Sequence, residues 1–101
     1  MEIEQLCQRY LELVNQDLPR QAKQRKFPVV FNHCFARIIL DNLFNCCWYE
    51  KIDRQKGAAY KQLSPTELQQ AINIAEAIID RPDTHIQQLN QNSLRWRDKI
   101  N

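Results

Sequence analysis

The sequence predicts an all-α protein of one domain, and three observations lead to that prediction. The chain has 101 residues, an ordinary length for one domain, and its 44% apolar content is enough to form a core. It contains a single glycine, Gly57, whereas sheets with tight hairpins use glycine freely. Its apolar residues recur at helical spacing. We therefore expect residues 1–101 to form a single-domain four-helix arrangement.

The first helix is predicted over residues 2–16, with apolar side chains on one face and charged or amide side chains on the opposite face. This helix should end near Asp17, because Pro19 disfavours helical geometry at the residue before it. Residues 20–26 follow as a basic connector with four positive charges in seven residues. The connector is expected to be exposed, and it can continue the first helix as a short exposed helix.

Residues 28–50 are predicted to form a central buried helix, with Pro28 in its first turn. Apolar residues surround this segment on every side when it is wound at about 100° per residue, which is typical of a helix at the centre of a domain. Three amphipathic helices can only just cover such a helix. Apolar surface left uncovered marks an interface, so we expect a homodimer that buries part of this helix or of the first helix.

A polar loop is predicted over residues 51–63, and the clearest helix start in the chain follows it. In Ser64-Pro65-Thr66-Glu67, the serine caps the helix, the proline takes the first position and the glutamate completes a capping box. Pro82 stops this helix. The last helix opens near Thr84, and arginine and lysine occupy its final turn, where positive charge suits the helix dipole.

One strip of the central segment is polar: His33, Arg37 and Asp41, at spacings that place them side by side on one helix face. Ionisable groups in a small core are either paired or functional. In a structural interpretation, Arg37 pairs with Asp41 or with an acid from another helix. In a functional interpretation, the strip binds an anionic small molecule or acts as a general base. The candidate ligand-binding residues are then His33, Arg37, Asp41 and Trp48.

The four cysteines are expected to be free thiols that pack in the core. Cys34 and Cys46 are 12 residues apart, about 18 Å along a helix, which is too far for both to bind one metal ion. Cys46 and Cys47 are adjacent and would point in different directions from a helix. The spacings typical of zinc ligands are missing, so we expect no metal site and no cofactor.

Taken together, these features favour a small cytosolic protein-interaction module that binds another protein or itself. No secretory signal pattern begins the chain, and six polar residues within 29–49 argue against membrane insertion. Since no catalytic motif is present, the sequence favours a binding protein over an enzyme. The alternative is a ligand-binding or catalytic domain that uses the polar strip. A nucleic-acid-associated regulator is less favoured, because the net charge is only +2.

Overall fold

The computed structural model describes residues 2–98, and within that range the chain forms α-helices and short helical turns without a β-strand. The helices are α1 (Ile3–Glu12), α2 (Leu18–Gln24), α3 (Asn32–Phe44), α4 (Pro65–Asp80) and α5 (Asp83–Asp98). A π-helical turn, Leu13–Asp17, joins α1 to α2. The first two helices therefore form one continuous segment, and the predicted all-α, four-helix architecture is confirmed.

The first helical segment continues past Pro19, so the prediction that it ends near Asp17 is wrong. Leu18, the residue before the proline, keeps helical dihedral angles (φ −68°, ψ −45°). Its N–H donates to the carbonyl of Leu13, five residues back. In a regular α-helix the proline ring would clash with the carbonyl four residues earlier. The wider i→i+5 turn changes that geometry and lets the helix accept the proline.

The π turn also keeps the end of this segment against the core. At 100° per residue, Leu18 and Ala22 would lie about 120° and 160° around the axis from Leu6 and would face away from the core. Because a π turn rotates less per residue, both side chains return to the core side and are buried. The predicted connector, residues 20–26, is therefore largely the helix α2, and one of its faces belongs to the core.

The central helix is present but is shorter than the predicted 28–50, because it runs only from Asn32 to Phe44. Pro28 precedes the helix rather than occupying its first turn. Val30 and Phe31 are 50% and 63% exposed, so this apolar stretch of the sequence lies at the surface. The apolar pattern alone did not distinguish these surface residues from core residues.

The C-terminal end of α3 is set by Asn45, which adopts the left-handed conformation at φ 57°. Asparagine is one of the few residues that accept this geometry, and a left-handed residue is a common helix stop. The N–H of Cys46 then donates to the carbonyl of Asp41 at 3.2 Å. The chain continues into a 3₁₀ turn, Trp48–Glu50. Cys47, which lies between the helix and this turn, is buried.

The core lies around α3, which packs against α4, α5 and the first helical segment. Its largest fully buried side chains include Phe35, Ile38 and Ile39. The α4 capping box forms as predicted: the Ser64 hydroxyl accepts the N–H of Glu67 at 3.1 Å, and the Glu67 carboxylate accepts the N–H of Ser64 at 2.8 Å. The predicted loop, residues 51–63, contains short 3₁₀ turns.

Arg25 joins the end of α2 to the junction between α4 and α5. Its guanidinium donates to the carbonyls of Ile79 and Arg81 at 2.9 and 2.6 Å, near the C-terminal end of α4. The same group pairs with Asp83, in the first turn of α5, at 2.7 Å. Carbonyls at a helix end have no partner within the helix, so one arginine completes the end of α4 and fixes the start of α5.

Among the helices in residues 2–98, none combines the length and the apolar character that crossing a lipid bilayer requires.

Candidate functional site

Asp41 is the centre of the polar network between α3 and α5, and its side chain is fully buried. Its carboxylate accepts a hydrogen bond from the Ser93 hydroxyl at 2.5 Å and from the backbone N–H of Trp48 at 2.9 Å. Arg97 donates through Nε at 2.9 Å and through a second nitrogen at 3.3 Å. Every carboxylate oxygen therefore has a partner, and the buried charge is paired with a guanidinium.

Arg37 belongs to the same network but does not contact Asp41 directly. Its guanidinium donates to the Ser93 hydroxyl at 2.8 Å and to the Asn90 side chain at 2.9 Å. Ser93 thus accepts from Arg37 and donates to Asp41, which connects the two residues that the sequence placed on one face. Neither pairing considered from the sequence, with Asp41 or with an acid of another helix, is present among these bonds. The partners are neutral side chains of α5.

Tyr49 extends the network to the surface. The guanidinium of Arg97 lies over its ring at 4.8 Å from the centroid, and that of Arg54 lies at 3.8 Å. Burial alone would lower the pKa of Arg97, but its hydrogen bonds to Asp41 and Tyr49 and the negative charge of Asp41 together more than offset this and raise the pKa above its ordinary value. Arg97 is therefore a permanent cation that links a buried carboxylate to an exposed aromatic ring.

His33 and the side chain of Trp48 lie outside this network and line a cavity on a neighbouring face of α3. The His33 imidazole is exposed and stacks on Phe31, with ring centroids 5.7 Å apart. The cavity has a volume of about 240 Å³ and lies between the first helical segment, α3 and the 3₁₀ turns. Its lining includes Tyr10, Val14, Ala36, Leu40, Trp48 and Ala59. We call this space the Tyr10 cavity.

The four predicted ligand-binding residues are thus divided between two places. Arg37 and Asp41 lie in the buried network with α5, whereas His33 and Trp48 line the Tyr10 cavity. Trp48 contributes to both places, because its backbone N–H donates to Asp41 and its side chain lines the cavity. A ligand-binding role for these residues stays a prediction.

A second opening adjoins the cavity and follows the outer face of α1. This α1 groove has a volume of about 660 Å³, and its apolar lining consists of Ile3, Cys7, Leu11 and Tyr60. Its charged lining residues are Glu4, Glu12 and Lys61. Leu11, Asn15 and Tyr60 line both the groove and the cavity, so the two openings are continuous.

Sequence reasoning missed the α1 groove, although the signal for it is present. The predicted apolar face comprised Ile3, Leu6, Cys7, Tyr10, Leu13 and Val14, without Leu11. When Leu11 is included, the apolar residues cover an arc of about 160° on a regular helix, which is wider than the stripe of about 100° that a core-facing helix needs. Leu6 and Tyr10 occupy the buried side of that arc, whereas Ile3, Cys7 and Leu11 occupy the side that lines the groove.

The four cysteines are free thiols, and they differ in burial. Cys47 is buried, whereas Cys7, Cys34 and Cys46 are half-buried. Desolvation, followed by the negative charge of Glu50, raises the pKa of Cys46, so its reactive thiolate form is disfavoured. Within residues 2–98, no three His, Cys, Asp or Glu side chains are grouped as metal ligands would be.

In dilute solution, where a dimer would dissociate, we expect a thiol reagent to modify the native protein at Cys7 well before Cys47. Cys7 lines the open α1 groove, whereas Cys47 becomes accessible only when the surrounding structure opens. Mass spectrometry of peptides after timed labelling measures the two rates, and labelling in denaturant gives the full extent. Rapid native modification of Cys47 would contradict its placement in the core.

Comparison with known proteins gives no relative for this chain: no protein-family model matches it, and no match is found among curated proteins or solved structures.

Proposed function

We propose that this protein is a small helical interaction module that associates with a second copy of itself through the α1 groove. The observation that carries the proposal is the groove itself. Apolar side chains of α1 and the ring of Tyr60 line it, and Ile3 at one end is 47% exposed. An apolar strip rimmed by charged and amide side chains is an arrangement found at interaction sites, and it supports an interface here.

The charges around the groove favour a second copy as the partner. The helix wall carries Glu4 and Glu12, and the opposite wall, formed by the 3₁₀ turn Ala59–Gln62, carries Lys61. In a symmetric dimer the same patch meets itself. A two-fold axis along the groove places the acidic wall of one copy against the lysine wall of the other. The patch is therefore complementary to itself in both apolar character and charge.

The alternative, an anionic ligand held by His33, Arg37 and Asp41, has less support. Arg37 already donates to Ser93 and Asn90, and the negative charge of Asp41 within the same network would repel an anion. His33 lies outside that network, stacked on Phe31. A nucleic-acid role has less support too, because Arg25, within the basic segment 20–26, is engaged at the α4–α5 junction.

Self-association is tested by comparing Ile3→Asp with Leu94→Asp. Ile3 and Leu94 are both 47% exposed, but only Ile3 lines the groove, so the two variants add the same charge at equally exposed sites. Sedimentation equilibrium from low to high micromolar concentration should show the wild type approaching twice the 12.1 kDa monomer mass. Ile3→Asp should weaken the dimer about tenfold or more, since it buries an unpaired charge. Leu94→Asp should leave it unchanged.

The charge argument has its own test, a reversal and a rescue. Lys61→Glu should weaken the dimer by a few-fold, about the effect of an exposed ion pair, because the two facing walls then carry like charges. Adding Glu12→Lys to that variant should restore part of the lost dimer affinity. A single 12.1 kDa species at every concentration would refute self-association. Equal weakening by Ile3→Asp and Leu94→Asp would place the interface elsewhere.

A further inference from the structure

The Tyr10 cavity contains a buried polar group whose hydrogen-bonding capacity is unused by the described chain. Tyr10 is only 3% exposed, and among residues 2–98 burial, rather than any hydrogen bond, sets the environment of its hydroxyl. In the same range, no fully enclosed side-chain nitrogen or oxygen lacks a partner. The Tyr10 hydroxyl is therefore not fully enclosed, and the opening that Tyr10 lines is this cavity.

The hydroxyl is a donor under ordinary conditions. Burial raises the pKa of Tyr10 well above its usual value, so the phenol keeps its proton at neutral pH. Buried hydroxyl groups in proteins are almost always hydrogen-bonded. A molecule that occupies the cavity and offers an acceptor to this proton would complete the site.

The walls of the cavity determine the rest of the ligand. Val14, Leu40 and Trp48 give apolar and aromatic contacts, and the small side chains of Ala36 and Ala59 leave the space open. Within the described residues no acid, lysine or arginine lines the cavity, and its remaining lining residues are Leu11, Asn15, Asn32, His33 and Tyr60. A neutral ligand with a hydrogen-bond acceptor therefore suits the cavity better than a carboxylate or an ammonium ion. An apolar cavity of about 150 Å³ is large enough for benzene, and this one measures about 240 Å³.

From these features the geometry points to a binding site for a small neutral molecule: one aromatic ring with a short substituent that carries a hydrogen-bond acceptor, which the Tyr10 hydroxyl donates to. This site goes beyond the proposed self-association and does not depend on it. It also differs from the anionic site suggested by the sequence, although His33 at the rim and Trp48 on the wall belong to both.

Acetophenone and ethylbenzene form a matched pair of probes for this site. They have nearly the same shape, but only acetophenone has a carbonyl that accepts a hydrogen bond. Each is titrated into Ile3→Asp, in which self-association is limited, and into the double variant Ile3→Asp/Tyr10→Phe, and amide shifts are followed by NMR. We expect amide shifts at residues that line the cavity. Tyr10→Phe should weaken the binding of acetophenone about fivefold, the factor for one ordinary hydrogen bond. Ethylbenzene affinity should stay the same.

Filling the cavity gives a second readout. Ala36→Leu places a larger side chain in the space and should abolish binding of both probes, and Ala59→Leu serves the same purpose from the opposite wall if the first variant fails to fold. Absence of cavity shifts at millimolar probe would overturn the proposal. So would an unchanged ratio of the two affinities in Tyr10→Phe, because the hydroxyl would then be satisfied by water. Neither result bears on whether the protein dimerises.

Discussion

Replacement of Asp41 by alanine should lower the free energy of unfolding by about 3 to 5 kcal/mol, the cost of breaking a buried ion pair from one side. Asp41 is fully buried, and its carboxylate accepts bonds from Ser93, Arg97 and the backbone of Trp48. Without it, all three donors lose their acceptor and the guanidinium loses its counter-charge. A domain of this size has only about 5 to 15 kcal/mol of stability in total, so a large share is lost.

The matched measurement is a double-mutant cycle with Arg97, which is the charged partner of Asp41. Urea unfolding followed by circular dichroism gives the free energy for Asp41→Leu, Arg97→Met and the double variant. The double variant should recover much of the loss, because it leaves no unpaired charge. Arg37→Met should cost less than Asp41→Ala, because its partners Ser93 and Asn90 are neutral. Near-neutral single variants would refute a structural role and would favour a site kept for function at a cost in stability.

Arg25→Met should also lower the free energy of unfolding substantially, by about 2 kcal/mol, a typical value for a hydrogen bond to a charged group. The guanidinium donates to the carbonyls of Ile79 and Arg81, and methionine keeps much of the length of the side chain without any donor. Arg20→Met is the control within α2, the helix that Arg25 follows. Arg20 is exposed and reaches its nearest carboxylate, Asp17, only at 3.9 Å, so its loss should stay within about 0.5 kcal/mol. Equal losses in the two variants would contradict the role of Arg25 at the junction.

The contact between Arg25 and Asp83 should also affect the stability of the protein at acidic pH. The hydrogen bond from Arg25 lowers the pKa of Asp83 below its ordinary value. A carboxyl group with a lowered pKa in the folded state stabilises the protein above its unfolded pKa and loses that contribution as pH falls through the folded value. The wild type should therefore lose this contribution below about pH 4, and Arg25→Met should lack most of it. An NMR titration of the Asp83 carboxyl checks the assignment, since its pKa should move toward the usual range in the variant, in which the backbone N–H of Lys26 is still a donor.

Local signals in the sequence were enough to place the elements whose ends are decided locally. The capping box at Ser64 and the stop at Pro82 depend on neighbouring residues, and both were predicted correctly. The predicted end of the first helix was too early. The rule for residues before proline does not take into account that Leu18 becomes buried when the helix continues. The end of α3 was predicted too late, because the apolar pattern continues past Asn45. This residue adopts the left-handed conformation and terminates the helix.

The polar strip shows what helical spacing can and cannot predict. It placed Arg37 and Asp41 on a common face, and both do face α5. Which groups meet them depends on the rotation and position of α5, so Ser93 and Arg97 were not foreseen as partners. His33 was predicted to share the environment of Asp41, but α3 begins at Asn32. His33 is therefore in the first turn, where its side chain stacks on Phe31 at the surface.

The π turn between α1 and α2 also determines where this chain can change in length. A turn of this kind is equivalent to one extra residue inserted in a regular α-helix. Deleting one residue within Leu13–Asp17 would leave Leu18 and Ala22 about 20° and 60° around the axis from Leu6, still on the core side. Pro19 would have to be replaced with it, because a regular turn has no room for its ring. A deletion elsewhere in α1 or α2 would rotate every following side chain by about 100°, so this turn is the point in the helix where insertions and deletions are best tolerated.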